Sequence, residues 1–351
     1  MRFIDAIRAQ GKGLRASRAA VTGRLGALDL APWRGRRLLL TGMGASSHAI
    51  AAALPGYWAG GLRAAGWTGS ELALAASGAS ARPAGSARPA GSAAAVIAVS
   101  QTGKSAEVYA ALTALPEECA RLVLTDVADS PIGRLSGAVL PLALLADSEV
   151  RTIGYTATVQ ALLLLRDALL RDRHAGEPVA RPDSPDWNQV ADEADRMTGA
   201  AEQLADRLLP SLRTATAFDL VGSGVHAGTA AQGALLLREV AKLPATGYET
   251  YQYLHGPVEA AGPGRALILI GGAREAKLAE SMAAAGADVL LVTAEDAWPE
   301  GVTMFRIPSA GLAEAVLGVL PLQAVAWRLA DDLGVPDGVF RYHQDDTKVA
   351  G

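Results

Sequence analysis

One cysteine, Cys119, occurs in 351 residues. An intrachain disulfide is therefore excluded, a thiolate-bound metal is not expected, and the reducing cytoplasm is the expected compartment. Aromatic side chains are scarce at 5% against 50% apolar residues overall, so Ala, Leu, Val and Gly must fill the interior. Such a composition suits helices packed closely on sheets. No Lys/Arg cluster accompanies the net charge of −4, which leaves little basis for a nucleic-acid partner and favours small molecules. Residues 1–8 interleave charge with apolar side chains and hold no leader-like apolar run. The apolar stretches at 161–165 and 318–327 fall well short of the ~20 residues that span a bilayer. Neither a secretory leader nor a membrane span is expected.

What is present is an alternation. Apolar runs of strand length at 38–41, 94–99, 121–125 and 138–142 are mostly separated by helix-like segments, and the strongly apolar 156–170 follows them. The second half repeats the plan, with strand-like 218–221, 266–270, 288–292 and 304–307 and helix-like 226–242, 274–285 and 312–333. Strands alternating with helices imply βαβ units and parallel sheets. The length suits two domains of about 150 residues each, and Gly176, Pro178, Pro182 and Pro185 mark the joint. The division expected is a helical segment 1–34, a first domain 35–173, a linker 174–186, a second domain 187–335 and a tail 336–351. Residues 81–86 and 87–92 are the same hexapeptide twice, Ala-Arg-Pro-Ala-Gly-Ser, which builds no core and reads as a surface loop without chemistry.

Directly after the 94–99 run comes Ser100-Gln101-Thr102-Gly103-Lys104-Ser105. An anion at the end of a parallel strand is held by backbone N–H groups at a helix N-terminus, with small hydroxyls helping, and a glycine lets the backbone approach. Ser100, Gln101, Thr102 and Ser105 fit that description, although the same residue types also serve as plain helix caps. Gly42-Met43-Gly44-Ala45-Ser46-Ser47-His48 is a second strand-to-helix turn. As a dinucleotide fingerprint it is incomplete, because Ser47 stands in place of the third glycine and no acidic strand end follows about 20 residues on. A nicotinamide site is disfavoured, and Ser46 instead reads as a further phosphate donor. The matching loops of the second half, Gly222-Ser223-Gly224 and Gly271-Gly272-Ala273-Arg274, lack the hydroxyl cluster, so only the first half is expected to bind phosphate.

Glu239 lies near the end of an Ala/Leu-rich helix beside Arg238, and His255 precedes Gly256-Pro257. A carboxylate can carry a proton between adjacent carbons, and an imidazole can open a hemiacetal ring. Taken singly, each is also an ordinary surface or loop residue. His48 and His226 begin helices after glycine turns without metal-ligand partners at i+4, His174 falls in the linker, and His343 in the tail.

In combination these pieces resemble the tandem sugar-isomerase-domain family, which includes the isomerase half of glucosamine-6-phosphate synthase. That family has a Gly-Thr-Ser turn, here Gly44-Ala45-Ser46, and a Ser-Gln-Ser-Gly-Glu-Thr phosphate loop, here residues 100–105. A helix ending in Lys-Glu follows, here Arg238-Glu239, and then His-Gly-Pro at the same separation, here His255-Gly256-Pro257. The resemblance covers roughly residues 35–345. It implies an α/β fold of two flavodoxin-like domains, each a five-stranded parallel sheet flanked by helices. It implies that Ser46, Ser100, Gln101, Thr102 and Ser105 bind the phosphate, that Glu239 moves a proton between C1 and C2, and that His255 opens the ring. It further implies a homodimer with His255 supplied in trans, and a tail lysine over the sugar, for which Lys348 is the match. Leu236 stands where the synthases have lysine, Lys104 where the loop has Glu, and Leu254 where Lys precedes the histidine. No cysteine nucleophile lies near the start, so glutamine hydrolysis is not expected.

The implied activity is that of a phosphosugar aldose–ketose isomerase or an amino-sugar-phosphate deaminase or isomerase, a chemistry that requires no metal or organic cofactor. The alternative is a non-catalytic phosphosugar sensor or regulatory protein. A nucleotide-dependent oxidoreductase would rest on the Gly-Met-Gly turn alone.

Overall fold

The computed structural model describes residues 1–78, 94–143, 146–171, 183–296, 299–342 and 344–350. The duplicated hexapeptide at 81–92, His174 with most of the expected linker, and His343 lie outside these residues. By residue contacts the chain divides into two units that are discontinuous in sequence. The N-terminal unit comprises 16–145, 157–182 and 342–351, and the C-terminal unit 1–15, 146–156 and 183–341.

Elements are numbered along the chain. The N-terminal unit holds β1 (Arg37–Gly42), β2 (Ala64–Thr68), β3 (Ala94–Val99), β4 (Ala120–Thr125) and β5 (Ala138–Pro141). Its helices are α3 (Ala45–Ala59), α4 (Gly69–Gly78), α5 (Ala106–Ala114) and α6 (Pro131–Arg134), with most of α2 (Gln10–Ala27) and α7 (Ile153–Arg171). The five strands are parallel, in the order β2-β1-β3-β4-β5. β1 sits beside β3 with Leu40 opposite Ile97. Every residue of β3 is buried, because helices cover both faces of a parallel sheet and the strand therefore reads as a continuous apolar run.

The C-terminal unit holds α1 (Phe3–Arg8), α8 (Trp187–Leu212), β6 (Ala217–Gly222), α9 (Val225–Glu239), β7 (Ala245–Glu249), α10 (Thr250–Leu254), β8 (Arg265–Ile270), α11 (Ala273–Ala284), β9 (Asp288–Thr293), β10 (Thr303–Arg306) and α12 (Glu314–Asp332). Its strands are again parallel, in the order β10-β9-β8-β6-β7. α12 packs on α8 and α9, and α1 packs on α12. Three distant segments of this unit meet in a buried chain of hydrogen bonds. Thr156 Oγ1 donates to Gln10 Oε1 at 2.7 Å, and Gln10 Nε2 donates to Gln323 Oε1 at 3.1 Å.

The α/β architecture is that of two flavodoxin-like domains, each with a five-stranded parallel sheet. Two strands, β2 and β7, have no counterpart among the apolar runs of the sequence. Both are edge strands with little buried surface, and Ala-Ala-Gly-Trp-Thr and Ala-Thr-Gly-Tyr-Glu carry no hydrophobic signature. One expectation is corrected. Ile153–Arg171 and Gly311–Asp332 are long and apolar enough to cross a bilayer, but 89% and 78% of their apolar windows lie buried inside the protein, as in core helices.

Candidate functional site

The hydroxyl-rich loop lies at the carboxyl end of β3, in the middle of the N-terminal sheet, where open α/β sheets bind ligands. Its carbonyls are engaged inside the protein. Gly103 N–H donates to Ser100 O at 3.0 Å, Asp126 N–H to Gln101 O at 3.0 Å and Ile132 N–H to Gly103 O at 3.1 Å. Gly103 has φ +65°, and a Cβ there would stand 1.9 Å from Ser130 Oγ, so the turn needs glycine for both conformation and space. Ser105 holds the N-cap position of α5 without capping it; its hydroxyl donates to Glu107 Oε2 at 2.9 Å. The N–H groups of a helix's first turn lack intrahelical partners, which makes this end of α5 attractive to an anion.

Next to β3, β1 runs into Gly42-Met43-Gly44, and Ser46 follows in the first turn of α3. A Cβ on Gly42 would lie 2.8 Å from Ser46 Cβ and 3.2 Å from Val99 O, so this turn and the end of β3 are closely packed. The tail reaches the same loop. Ser105 and Lys348 form an antiparallel bridge, with Val349 N–H donating to Lys104 O at 2.9 Å. The structure thus brings Ser46, the 100–105 loop and Lys348 together at one end of one unit.

The two acid/base candidates belong to the C-terminal unit. Glu239 is the last residue of α9, and burial pushes its carboxyl above the usual range against the pull of Lys242 and Arg238. Lys242 turns back onto this helix end. Its Nζ donates to Glu239 O at 2.5 Å and lies 5.4 Å from the centre of the Phe340 ring. His255 is exposed at the end of α10, followed by Gly256 at φ 149°. Among the described residues no hydrogen bond or ion pair joins Glu239 to His255.

Two buried carboxylates fix the element that carries His255. Asp219 in β6 accepts from Arg265 at 2.9 and 3.1 Å and from the Tyr253 hydroxyl at 3.4 Å. Glu275, 2% exposed, accepts from Thr250 Oγ1 at 2.6 Å, Ser223 Oγ at 2.9 Å and Gly272 N–H at 3.1 Å. Thr250 starts α10, so Glu275 ties that helix to both glycine turns of its sheet. Sequence reasoning singled out neither Glu275 nor Lys242. Glu275 had a local signal, a glycine followed three residues later by Glu at a helix start; Lys242 had none.

No family model matches the chain. In sequence it is similar to the glutamine–fructose-6-phosphate aminotransferase (isomerizing) of Gloeobacter violaceus, 28% identical over 255 residues, which covers 68% of this chain and 41% of that protein. The match thus spans about two fifths of the curated relative's length. In structure it matches the C-terminal domain of glucosamine-fructose-6-phosphate aminotransferase from Francisella tularensis, with TM-score 0.76, 14% identity, and 95% and 97% of the two chains covered. Glucosamine-6-phosphate deaminase from Thermotoga maritima matches with TM-score 0.74, 18% identity, and 95% and 96% covered. In sequence and in fold, the chain resembles the tandem sugar-isomerase-domain proteins.

Proposed function

We propose that this chain is a sugar-phosphate enzyme that opens the ring of its substrate and moves a proton between C1 and C2, as an aldose–ketose isomerase or an amino-sugar-phosphate deaminase or isomerase. The observation that carries the reading is the placing of Glu239 at the carboxyl end of α9, where burial raises the proton affinity of its carboxyl. The names of the relatives support the substrate class, since they act on fructose 6-phosphate or glucosamine 6-phosphate.

In this scheme Ser46, Ser100, Gln101, Thr102 and Ser105, with the N-terminus of α5, hold the phosphate. His255 opens the ring, supplied by the second subunit of a homodimer, and its exposed position within one chain suits that role. Glu239 takes the proton from one carbon of the opened sugar and returns it to the next. If the substrate bears nitrogen at C2, isomerisation gives an imine, and water attack on it releases ammonia. Lys348, tied beside the phosphate loop by its bridge to Ser105, covers the sugar.

The test is proton NMR in D₂O with fructose 6-phosphate, glucosamine 6-phosphate and their epimers, beside Glu239→Gln. Deuterium at C1 or C2, or free ammonia, is expected with intact Glu239 and lowered about 10²–10⁴-fold in the variant. Saturable binding of these sugars with neither exchange nor ammonia would replace the enzyme reading with that of a phosphosugar sensor.

A further inference from the structure

Lys242 is the feature beside Glu239 that the function above does not use. Its backbone has φ 58°, a left-handed conformation that a long L side chain adopts at a cost, and among the described residues Ala143 is the only other non-glycine with positive φ. That conformation folds the chain back after α9. The ammonium comes to rest at the helix's carboxyl end, 2.5 Å from Glu239 O, where the helix dipole favours a cation. Phe340 flanks it at 5.4 Å from the ring centre.

We propose that Lys242 is the acid partner of Glu239, its ammonium protonating the carbonyl oxygen of the opened sugar while Glu239 removes the proton from the neighbouring carbon. The inference rests on the isomerase reading. Starting from a ketose, the C1 proton passes to the Glu239 carboxylate and the Lys242 proton to O2, which leaves a neutral enediol. Glu239 then returns its proton to C2 and the O1 proton goes back to Lys242, giving the aldose with both residues in their starting states. Without an acid, the first step would leave a full negative charge on O2.

The surrounding groups single out this lysine. Arg238 and Arg341 are the other cations that act on the pair, and a guanidinium does not give up its proton. Leu236, one helical turn before Glu239, is fully buried in the core. Burial and the charge of Arg341 lower the Lys242 ammonium below the ordinary lysine range, against the pull of Glu239, while burial raises Glu239. Each shift runs in the direction in which burial tunes catalytic glutamates and lysines.

A bland role is open to the same side chain, that of a cation closing the end of α9. Lys242→Arg separates the two, because arginine keeps the charge and the reach to the carbonyl but cannot cycle a proton. With a substrate found in the deuterium-exchange panel, Lys242→Arg and Lys242→Met should both lose about 10²-fold or more in kcat, with KM within a few-fold. The Arg variant should keep the wild-type Tm and lose the alkaline limb of the kcat–pH profile. Restored turnover in Lys242→Arg would overturn the proposal and leave Glu239 as the base. Inactivity of the wild-type protein on every sugar would instead bring down the isomerase reading and this inference with it. A substrate-free measurement stands beside these. After reductive ¹³C-methylation the Lys242 resonance should titrate below the other lysines, and lower still in Glu239→Gln; titration with the bulk would also overturn the assignment.

Discussion

The two units build one turn twice and furnish it in opposite ways. Gly44 and Gly224 have nearly the same backbone, φ 52° and ψ −127° against φ 57° and ψ −127°, each opening a helix after the strand beside the central one. Two residues on, the N-terminal unit has Ser46 and the C-terminal unit His226, whose Nε2 lies 3.4 Å from Glu314 Oε2. Beyond the neighbouring strand, the N-terminal unit offers the hydroxyls and helix start of residues 100–106. The C-terminal unit places the Glu275 carboxylate there, already accepting three hydrogen bonds. In the C-terminal unit one carboxylate, Glu275, takes two hydroxyls and an N–H, whereas in the N-terminal unit Glu107 takes the Ser105 hydroxyl alone. A fold repeated within one protein can therefore keep the backbone of a turn while a single acidic side chain changes what the turn offers.

The sharpest way to break this comparison is Glu275→Ala. Two hydroxyls and an N–H would lose their acceptor at a site 2% exposed, and urea denaturation should show a loss on the order of 3 kcal/mol. Glu275→Gln, which keeps an acceptor, should lose about 1 kcal/mol. Titration calorimetry with inorganic phosphate adds the functional half. A second phosphate equivalent in Glu275→Ala would show that the shared backbone suffices, and a single equivalent that the hydroxyl loop is indispensable.

Glycine substitutions come next. Gly103→Ala combines φ +65° with a Cβ 1.9 Å from Ser130 Oγ and should cost about 2–3 kcal/mol, with at least tenfold weaker phosphate binding. Gly44→Ala and Gly224→Ala meet nothing within 4 Å, and each should cost only the conformational penalty of about 1–3 kcal/mol. Unequal losses at these two positions would show that the turns are not equivalent. Ser46→Ala should weaken phosphate binding about 3- to 10-fold while changing stability by no more than about 0.5 kcal/mol.

The smallest effects separate two carboxylates of the C-terminal unit by sign. Burial acts to raise Glu314, but the hydrogen bonds from His226 and from the N–H groups of Ala310 and Gly311 outweigh it, and the group lies below the ordinary glutamate range. Glu314 therefore contributes stability above its unfolded pKa and loses it as pH falls through the folded value. Glu239, raised by burial, behaves oppositely. The folded state binds its proton more tightly, so stability is lost as pH rises through the folded pKa. Tm against pH should accordingly show Glu314→Gln below wild type at neutral pH and converging in acid, and Glu239→Gln above wild type at neutral pH and converging in acid.

Central strands, helices and the hydroxyl loop were legible because burial on both faces forces apolar runs and because glycine and small hydroxyl residues cluster at the strand end. The edge strands β2 and β7 were not, since a strand with little buried surface carries no periodic signal. The exchange of segments 1–15 and 146–156 into the C-terminal unit was also illegible. It rests on pairs such as Gln10 with Gln323, whose meeting no local pattern announces. Of the proposed site residues, residue type announced Ser100 and His255, whereas the placing of Lys242 depends on one left-handed backbone angle that a lysine codon does not foretell.

The exchanged N-terminal segment sets the order in which the protein can be made. Phe3, Ile4, Ala6 and Ile7 are buried in the finished molecule, and the Phe3 N–H donates to Asp337 at 2.8 Å across 334 positions of sequence. A ribosome adding ~5–20 residues per second needs roughly 15–70 s to reach that partner. Strands β1–β5 can meanwhile pair as they emerge, while the first helix keeps its apolar face uncovered until α12 exists. Residues 3–7 thus emerge long before the elements that bury them, and for that interval their apolar side chains stay uncovered.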